Sequence, residues 1–261
     1  MEVAIMGAGI SGLSCAITLE QNGIIPTIFE KRSSVGDRFV NAEGMFSILN
    51  RPTKDCIPYI SENYNINLKP IVDVDKLFIH SKNEIGTING KIGCTNVRGR
   101  HEDSYESQLE KQVKSKINFN STYEYTELCK NFEHVVLATG DGDYASHLGN
   151  YNCNLTCTIK GATVQGNFVT SNPHVWFNYE ILPKGYGWLI PFSEKEANLV
   201  IAYPDYPDNI RLDLNDIWEK FNNFACKSLD QNLKITDNFE VTRYMMGICN
   251  KARIFIKASP G

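Results

Sequence analysis

Val3-Ala4-Ile5-Met6-Gly7-Ala8-Gly9-Ile10-Ser11-Gly12-Leu13 decides the fold of this chain. The opening apolar run stops at a glycine, which predicts a buried parallel strand. Gly7 to Gly12 fits Gly-x-Gly-x-x-Gly. A helical pattern follows, with Leu13, Ala16, Ile17 and Leu19 on one side and Asn22-Gly23 as its stop signal. Pro26-Thr27-Ile28-Phe29 predicts a second strand, closed by Glu30. Strand, glycine turn, helix and strand make a βαβ unit. The expected fold class is therefore α/β, a Rossmann-like domain with a parallel sheet.

Each residue of the turn has a physical task. Gly7 permits the tight passage from strand to helix, Gly9 lets backbone approach a pyrophosphate, and Gly12 lets helix and strand pack closely. Free N–H groups and the helix dipole at Ser11 to Leu13 face phosphate charge, and Ala8 and Ile10 complete the motif as candidate cofactor contacts. Glu30 stands where a carboxylate accepts hydrogen bonds from ribose hydroxyls, and an acid there disfavours a 2′-phosphate. The ligand class is thus a dinucleotide, and NADP is disfavoured in this particular site. The motif by itself does not separate NAD from FAD.

Three features favour FAD. The unit starts at residue 3 and runs directly into Glu30-Lys31-Arg32, which resembles the opening of the large family of glutathione-reductase-like and hydroxylase-like flavoenzymes. His134 to Leu137 predicts a late buried strand ending in Ala138-Thr139-Gly140-Asp141, similar to the second FAD-associated segment of that family. No second Gly-x-Gly-x-x-Gly occurs in strand and helix context, so no separate NAD domain is visible. The resemblance implies that Gly7 to Gly12, Glu30, Lys31 and Ala138 to Asp141 hold FAD.

The bulk properties exclude other classes. At 261 residues, 42% hydrophobic and 21% charged, the chain has enough apolar material for a buried core. A net charge of −4 gives no electrostatic reason to expect nucleic acid. Eight cysteines are scattered without a Cys-x-x-Cys pair, and Cys153 and Cys157 lack a His or second Cys pair to complete a metal site. No metal is expected. Reduced, scattered thiols, the absence of a basic leader segment and the lack of an apolar run of ~20 residues predict a cytoplasmic protein. The sequons at Asn120 and Asn154 are read as chance matches.

Between the two nucleotide segments, Gly36-Asp37-Arg38-Phe39 follows the ribose acid. In related flavoproteins this loop passes the cofactor, so Arg38 either meets phosphate or ring, or is a solvated loop charge. Leu77–Ser81, Ile85–Ile88 and Lys91–Thr95 predict short strands, read as an antiparallel insertion near residues 71–95. Arg98-Gly99-Arg100 precedes a helix predicted over 104–116, with Ser104 as N-cap and Tyr105, Leu109 and Val113 on its apolar side. This resembles the arginine-containing turn of hydroxylase-like flavoproteins. Arg98 is therefore a candidate cofactor contact, the alternative being a basic loop balanced by Glu102 and Asp103.

From about Tyr151 strand-like runs dominate: Leu155–Ile159, Ala162–Val169, His174–Tyr179, Gly185–Ile190 and Ala197–Ala202. One amphipathic helix is predicted from Leu214 to Phe224. This divides the chain into an FAD-binding domain, 1–148, and a β-rich substrate domain, 149–261. Within the latter, Pro183-Lys184-Gly185-Tyr186-Gly187-Trp188-Leu189-Ile190-Pro191 is similar to the Pro-x-x-Tyr-x-Trp-x-Phe-Pro motif of the geranylgeranyl reductase family, with Ile190 in place of Phe. Strand alternation puts Tyr186, Trp188 and Ile190 on one face. They either wall a hydrophobic pocket or fill the core.

The resemblance implies an FAD enzyme that reduces carbon–carbon double bonds of an isoprenoid-type substrate, with Tyr186, Trp188 and Ile190 lining a lipid cavity. It also implies NAD(P)H or ferredoxin as electron donor, and a lipid partner that would bring peripheral membrane contact. No catalytic residue is identified; Tyr186 and water are the candidates for proton donor. Two departures stand out. No cysteine follows the ribose acid before Cys56, and a third FAD segment, a Gly-Asp/Glu-Ala-Ala-Gly-like turn, is not found before Gly261, where Lys251–Lys257 predicts a strand. The second domain is therefore expected to be incomplete at its C-terminal side. A flavin-dependent monooxygenase and a degenerate, non-catalytic FAD-binding protein are the alternative readings.

Overall fold

A computed structural model describes residues 1–47, 55–140, 142–149 and 151–248. The opening unit is β1 (Val3–Met6), α1 (Ile10–Gln21) and β2 (Thr27–Phe29). There follow β3 (Asn41–Phe46), α2 (Cys56–Tyr64), β4 (Val72–His80), β5 (Ile85–Arg98) and α3 (Tyr105–Glu110). Next come β6 (Ile117–Asn118), α4 (Tyr125–Asn131), β7 (His134–Leu137) and α5 (Gly142–His147). The remainder is β8 (Asn152–Gln165), β9 (His174–Trp176), β10 (Tyr186–Pro191), β11 (Glu196–Pro204), α6 (Leu214–Leu229) and β12 (Lys234–Ile248).

The first sheet is parallel, with strand order β6-β2-β1-β7. β1 is central and buried along its whole length, which is why it has no polar residue. Ile5, Leu13, Ala16, Ile17, Ile28 and Leu109 form the core between this sheet and the α1 and α3 layer. On the opposite face Ala4, Met6 and Leu128 pack with Phe29, Phe132 and Val135, so α4 covers that side. Helices on both faces are what a parallel sheet requires.

The second sheet has order β12-β8-β11-β10-β9-β4-β5-β3 and is antiparallel except where β4 meets β9. It curls. β3 sits at the far end of the order, yet Ala42 N donates to Asn198 Oδ1 on β11 at 3.2 Å, and Asn198 Nδ2 donates to Val40 O at 3.3 Å. Asn198 is fully buried, so these bonds satisfy an amide that would otherwise be costly there. Phe39 also stacks on Phe239 of β12, with ring centroids 4.0 Å apart. α6 covers the outer face, where Ile217, Phe221 and Ala225 pack on Trp176, Leu182, Leu189 and Leu199.

Several expectations need correction. The runs expected as an insertion near 71–95 are strands of the second sheet, so a division at 148/149 does not separate the two sheets. Ile85–Ile88 and Lys91–Thr95 are one continuous strand, as are Leu155–Ile159 and the first part of Ala162–Val169. Gly161 breaks the hydrophobic pattern without breaking the ladder to β11, whereas at Gly90 the strand continues through a register shift in its pairing with β4, between Val74 and Lys76. The helix expected over 104–116 ends at Glu110, though Ser104 caps it as expected, accepting from Ser107 N at 3.2 Å. α6 runs on to Leu229, past the expected Phe224. The strand expected over 251–257 lies outside the described residues.

Candidate functional site

The glycine turn is built as its three positions require. Gly7 has φ of 104°, and a Cβ there would stand 2.5 Å from Ala138 O. A Cβ on Gly12 would stand 1.9 Å from Gly7 O, so helix and turn touch backbone to backbone. Gly9 is different, because a Cβ there would meet nothing within 4 Å. Its missing side chain leaves open space rather than a packed contact. Gly9 is also the N-cap of α1 and supplies no side-chain acceptor, so the N–H groups of Ile10 and Ser11, ahead of the first helical bond from Leu13 N to Gly9 O, are left for a ligand.

Glu30 points into this turn. Its Oε2 accepts from Ala8 N at 2.8 Å and its Oε1 accepts from Arg32 N at 2.9 Å. Beside it opens a cavity of about 250 Å³. Gly7, Glu30, Lys31 and Thr139 line it, and all four were candidates from the sequence. Ala138 closes the back: its N–H donates to Met6 O at 2.8 Å and its side chain packs into the core under α1. Gly140 has φ of 64° with no atom within 4 Å of a Cβ position. Asp141 lies outside the described residues.

The sequence did not point to the opposite wall of this cavity, Ser121 to Glu124 and Tyr144. Ser121 to Glu124 follow the two-residue strand β6, which is too short to show a period, and Tyr144 comes from the short helix α5. Tyr144 Oη donates to Glu124 Oε2 at 2.7 Å and accepts from Tyr125 N at 2.8 Å. Burial raises the pKa of this phenol, the Tyr125 N–H opposes the rise, and Glu124 adds to it. The phenol is therefore a fixed neutral donor at the cavity wall.

The two candidate arginines do not line this cavity. Arg38 is exposed, with its guanidinium 5.5 Å above the ring of its neighbour Phe39. Arg98 is bound by two carboxylates: Nε donates to Glu106 at 2.7 Å and Nη1 meets Glu43 at 3.3 Å. Neither partner is Glu102 or Asp103, the pair named in the basic-loop alternative. Burial works against the charge on Arg98, but Glu43 and Glu106 outweigh it and raise its pKa.

A second and larger cavity, about 540 Å³, lies within the curl of the second sheet. Tyr186, Trp188 and Ile190 all line it, from one face of β10. Leu77, Ile79, Val175 and Phe177 complete an apolar wall, and Asn41 to Gly44 of β3 form the opposing side. Tyr186 and Trp188 lie 5.3 Å apart, and Tyr186 and Phe177 5.9 Å apart, measured between ring centroids. All three thus border this cavity, and Ile190 is at the same time buried, at 6% exposure. The intervening residues, Gly187 and Leu189, do fill the core on the outer face.

Residues 5–43 match the family model of the NAD(P)-binding Rossmann-like domain. The structure resembles that of a geranylgeranyl bacteriochlorophyll reductase-like protein from Thermoplasma acidophilum, with TM-score 0.65 and 15% identity over 92% of this chain. A flavoprotein/dehydrogenase from Cytophaga hutchinsonii gives TM-score 0.64 at 13% identity over 92% of the chain and 66% of its own length. The flavin-dependent brominase Bmp2 gives 0.60 at 12% identity, over 94% of this chain and 71% of its own. The chain shares its fold with these three solved proteins. The identities speak to architecture alone, and the chain spans 65% of the length of the Thermoplasma protein. Among the described residues no helix is long and apolar enough to cross a membrane, and no group of three metal-ligating side chains occurs.

Proposed function

We propose that this chain binds FAD at the glycine turn and serves an oxidoreductase that reduces carbon–carbon double bonds of a hydrophobic, isoprenoid-type substrate held in the larger cavity. One observation carries the cofactor assignment: the Glu30 carboxylate is tied to Ala8 N at 2.8 Å, beside an open cavity. A carboxylate so held keeps lone pairs for the vicinal hydroxyls of a ribose. The open space at Gly9 and the uncapped start of α1 suit a diphosphate. Lys31 and Thr139 would border the nucleoside.

FAD supplies the two-electron redox chemistry when bound. The chain's own residues supply position and dryness. An apolar alkene offers no charge to grip, so its orientation rests on shape. Trp188, Ile190, Leu77, Ile79 and Val175 give that shape and exclude water from one side of the cavity. Tyr186, nearly half exposed, is the phenol at this wall that could hold a proton. NAD(P)H or ferredoxin would serve as electron donor, and a lipid substrate would bring peripheral membrane contact.

The test is titration of the purified protein with FAD and NAD, followed by calorimetry and by the visible absorption of bound flavin. Stoichiometric FAD binding supports the reading. A preparation that stays colourless in excess FAD, or prefers NAD, removes it. Anaerobic turnover of a prenyl alkene, set against oxygen consumption with hydroxylated product, separates reductase from monooxygenase.

A further inference from the structure

The larger cavity is apolar on most of its wall and has one charged end. Among the described residues that line it, Glu43 is the acid, and no lysine or arginine is present. His174 also reaches this cavity, but burial, then the neighbouring His80, lowers its pKa to about 4, so it carries no charge at neutral pH.

The charge on Glu43 is incompletely compensated. Its partner Arg98 is shared with Glu106, and the tighter contact is to Glu106: 2.7 Å against 3.3 Å. Two carboxylates and one guanidinium leave a net negative charge behind β3. The remaining contact to Glu43 is Asn96 Nδ2, at a long 3.4 Å. Behind Glu43, outside the cavity lining, Asn96 Oδ1 and Glu106 Oε2 are buried without a hydrogen-bond partner. Asn96 is 2% exposed and Glu106 5%. The Tyr105 hydroxyl beside Glu106 is also buried without a partner, so what favours an incoming donor is the net negative charge of the Glu43–Arg98–Glu106 group. The Glu43 side chain itself is 39% exposed and faces the cavity.

We propose that the ligand of this cavity is an apolar molecule with a proton-donating head, an ammonium or hydroxyl group, and that Glu43 selects such a head over a carboxylate. This rests on the reading of the larger cavity as the substrate site. The tail supplies affinity by burying apolar surface against Trp188, Ile190, Ile79 and Val175. The head donates to a carboxylate that Arg98 holds in place. A carboxylate head would instead meet Glu43 across a low-dielectric space with no cation in the cavity wall to receive it.

The experiment compares decylamine with decanoate, equal in chain length and opposite in head charge, by calorimetry below their micelle concentrations. The full chain is used, with and without FAD. Decylamine is expected to bind about tenfold or more tighter than decanoate, a difference one charge pair at partial exposure can supply. Glu43→Gln should bring the two within about threefold. Ile190→Trp, which fills the cavity, should abolish binding of decylamine to this site and so separates it from attraction to the net negative surface. The wild-type comparison needs no variant to fold. Decanoate binding as tightly as decylamine overturns the proposal, as does a preference that survives Glu43→Gln or Ile190→Trp. Protein that fails to take up FAD yet keeps the amine preference would remove the cofactor assignment and leave this one standing.

Discussion

The ring of Phe221 occupies the place a side chain on Gly187 would need, with Phe221 Cζ 2.2 Å from the position of the missing Cβ. This contact fixes α6 against the outer face of β10. The residues on either side, Tyr186 and Trp188, then face the larger cavity. Gly187→Ala should therefore cost about 1–3 kcal/mol through overpacking. Chemical denaturation reads the loss, and a variant as stable as wild type would show that α6 does not seat on this glycine.

Gly9 and Gly12 should respond in opposite ways. Gly12→Ala drives a Cβ into Gly7 O and should lower stability before any ligand is added. Gly9→Ala meets open space, so thermal melting of the cofactor-free protein should change little. Its FAD affinity should fall roughly tenfold or more, about 1.4 kcal/mol, because the methyl group occupies ligand space. Equal effects of the two substitutions on both measurements would contradict the assignment of the turn.

Glu30→Gln should weaken FAD binding by about 1.5–3 kcal/mol, roughly ten- to a hundredfold in Kd, because charge-assisted bonds to the sugar are replaced by neutral ones. The glutamine oxygen still accepts from one of Ala8 N and Arg32 N, so the turn itself should persist. Calorimetric titration reads the first effect and circular dichroism the second.

His80 and His174 make a stability switch in acid. Their Nε2 and Nδ1 atoms lie 2.9 Å apart, with Phe78 stacked on His174 and Trp176 on His80. Burial lowers the pKa of His80, and burial followed by His80 lowers that of His174 to about 4. The unfolded imidazole protonates near ~6.5. Above that pH both states are neutral and nothing is lost. As pH falls from ~6.5 towards the folded value, the unfolded chain takes up protons that the folded chain refuses, and stability declines. The decline should be on the order of 1–3 kcal/mol and should shrink in His174→Asn. Denaturation midpoints measured between pH ~7 and ~4 check it.

The nucleotide unit was legible because each of its parts is local. Gly7, Gly9, Gly12 and Glu30 lie within one βαβ stretch, and their tasks follow from backbone conformation alone. Tyr186, Trp188 and Ile190 were legible for a similar reason, since strand alternation assigns them one face. The sheet partnership of β4 and β5 was not legible. Their register is set by β9 and β3, remote in sequence, and no local pattern records a remote partner. The partners of Arg98 were not legible for the same reason: Glu43 lies opposite Asn96 on the neighbouring strand, whereas Glu102 and Asp103 are merely near in the chain. The wall formed by Tyr123 and Tyr144 carried no signal, because Tyr123 lies in an irregular segment after a two-residue strand and Tyr144 in a six-residue helix, both too short to show a period.

β1 takes β2 on one side and β7 on the other, pairing Val3 with His134 and Met6 with Leu137. The glycine turn thus rests on a strand that the ribosome delivers much later than the turn itself. Until residue 137 has cleared the exit tunnel, Gly7 has no Ala138 carbonyl behind it and the apolar edge of β1 stays unpaired. The nascent chain should therefore lack nucleotide affinity until β7 has emerged, and depend most on chaperones during that interval.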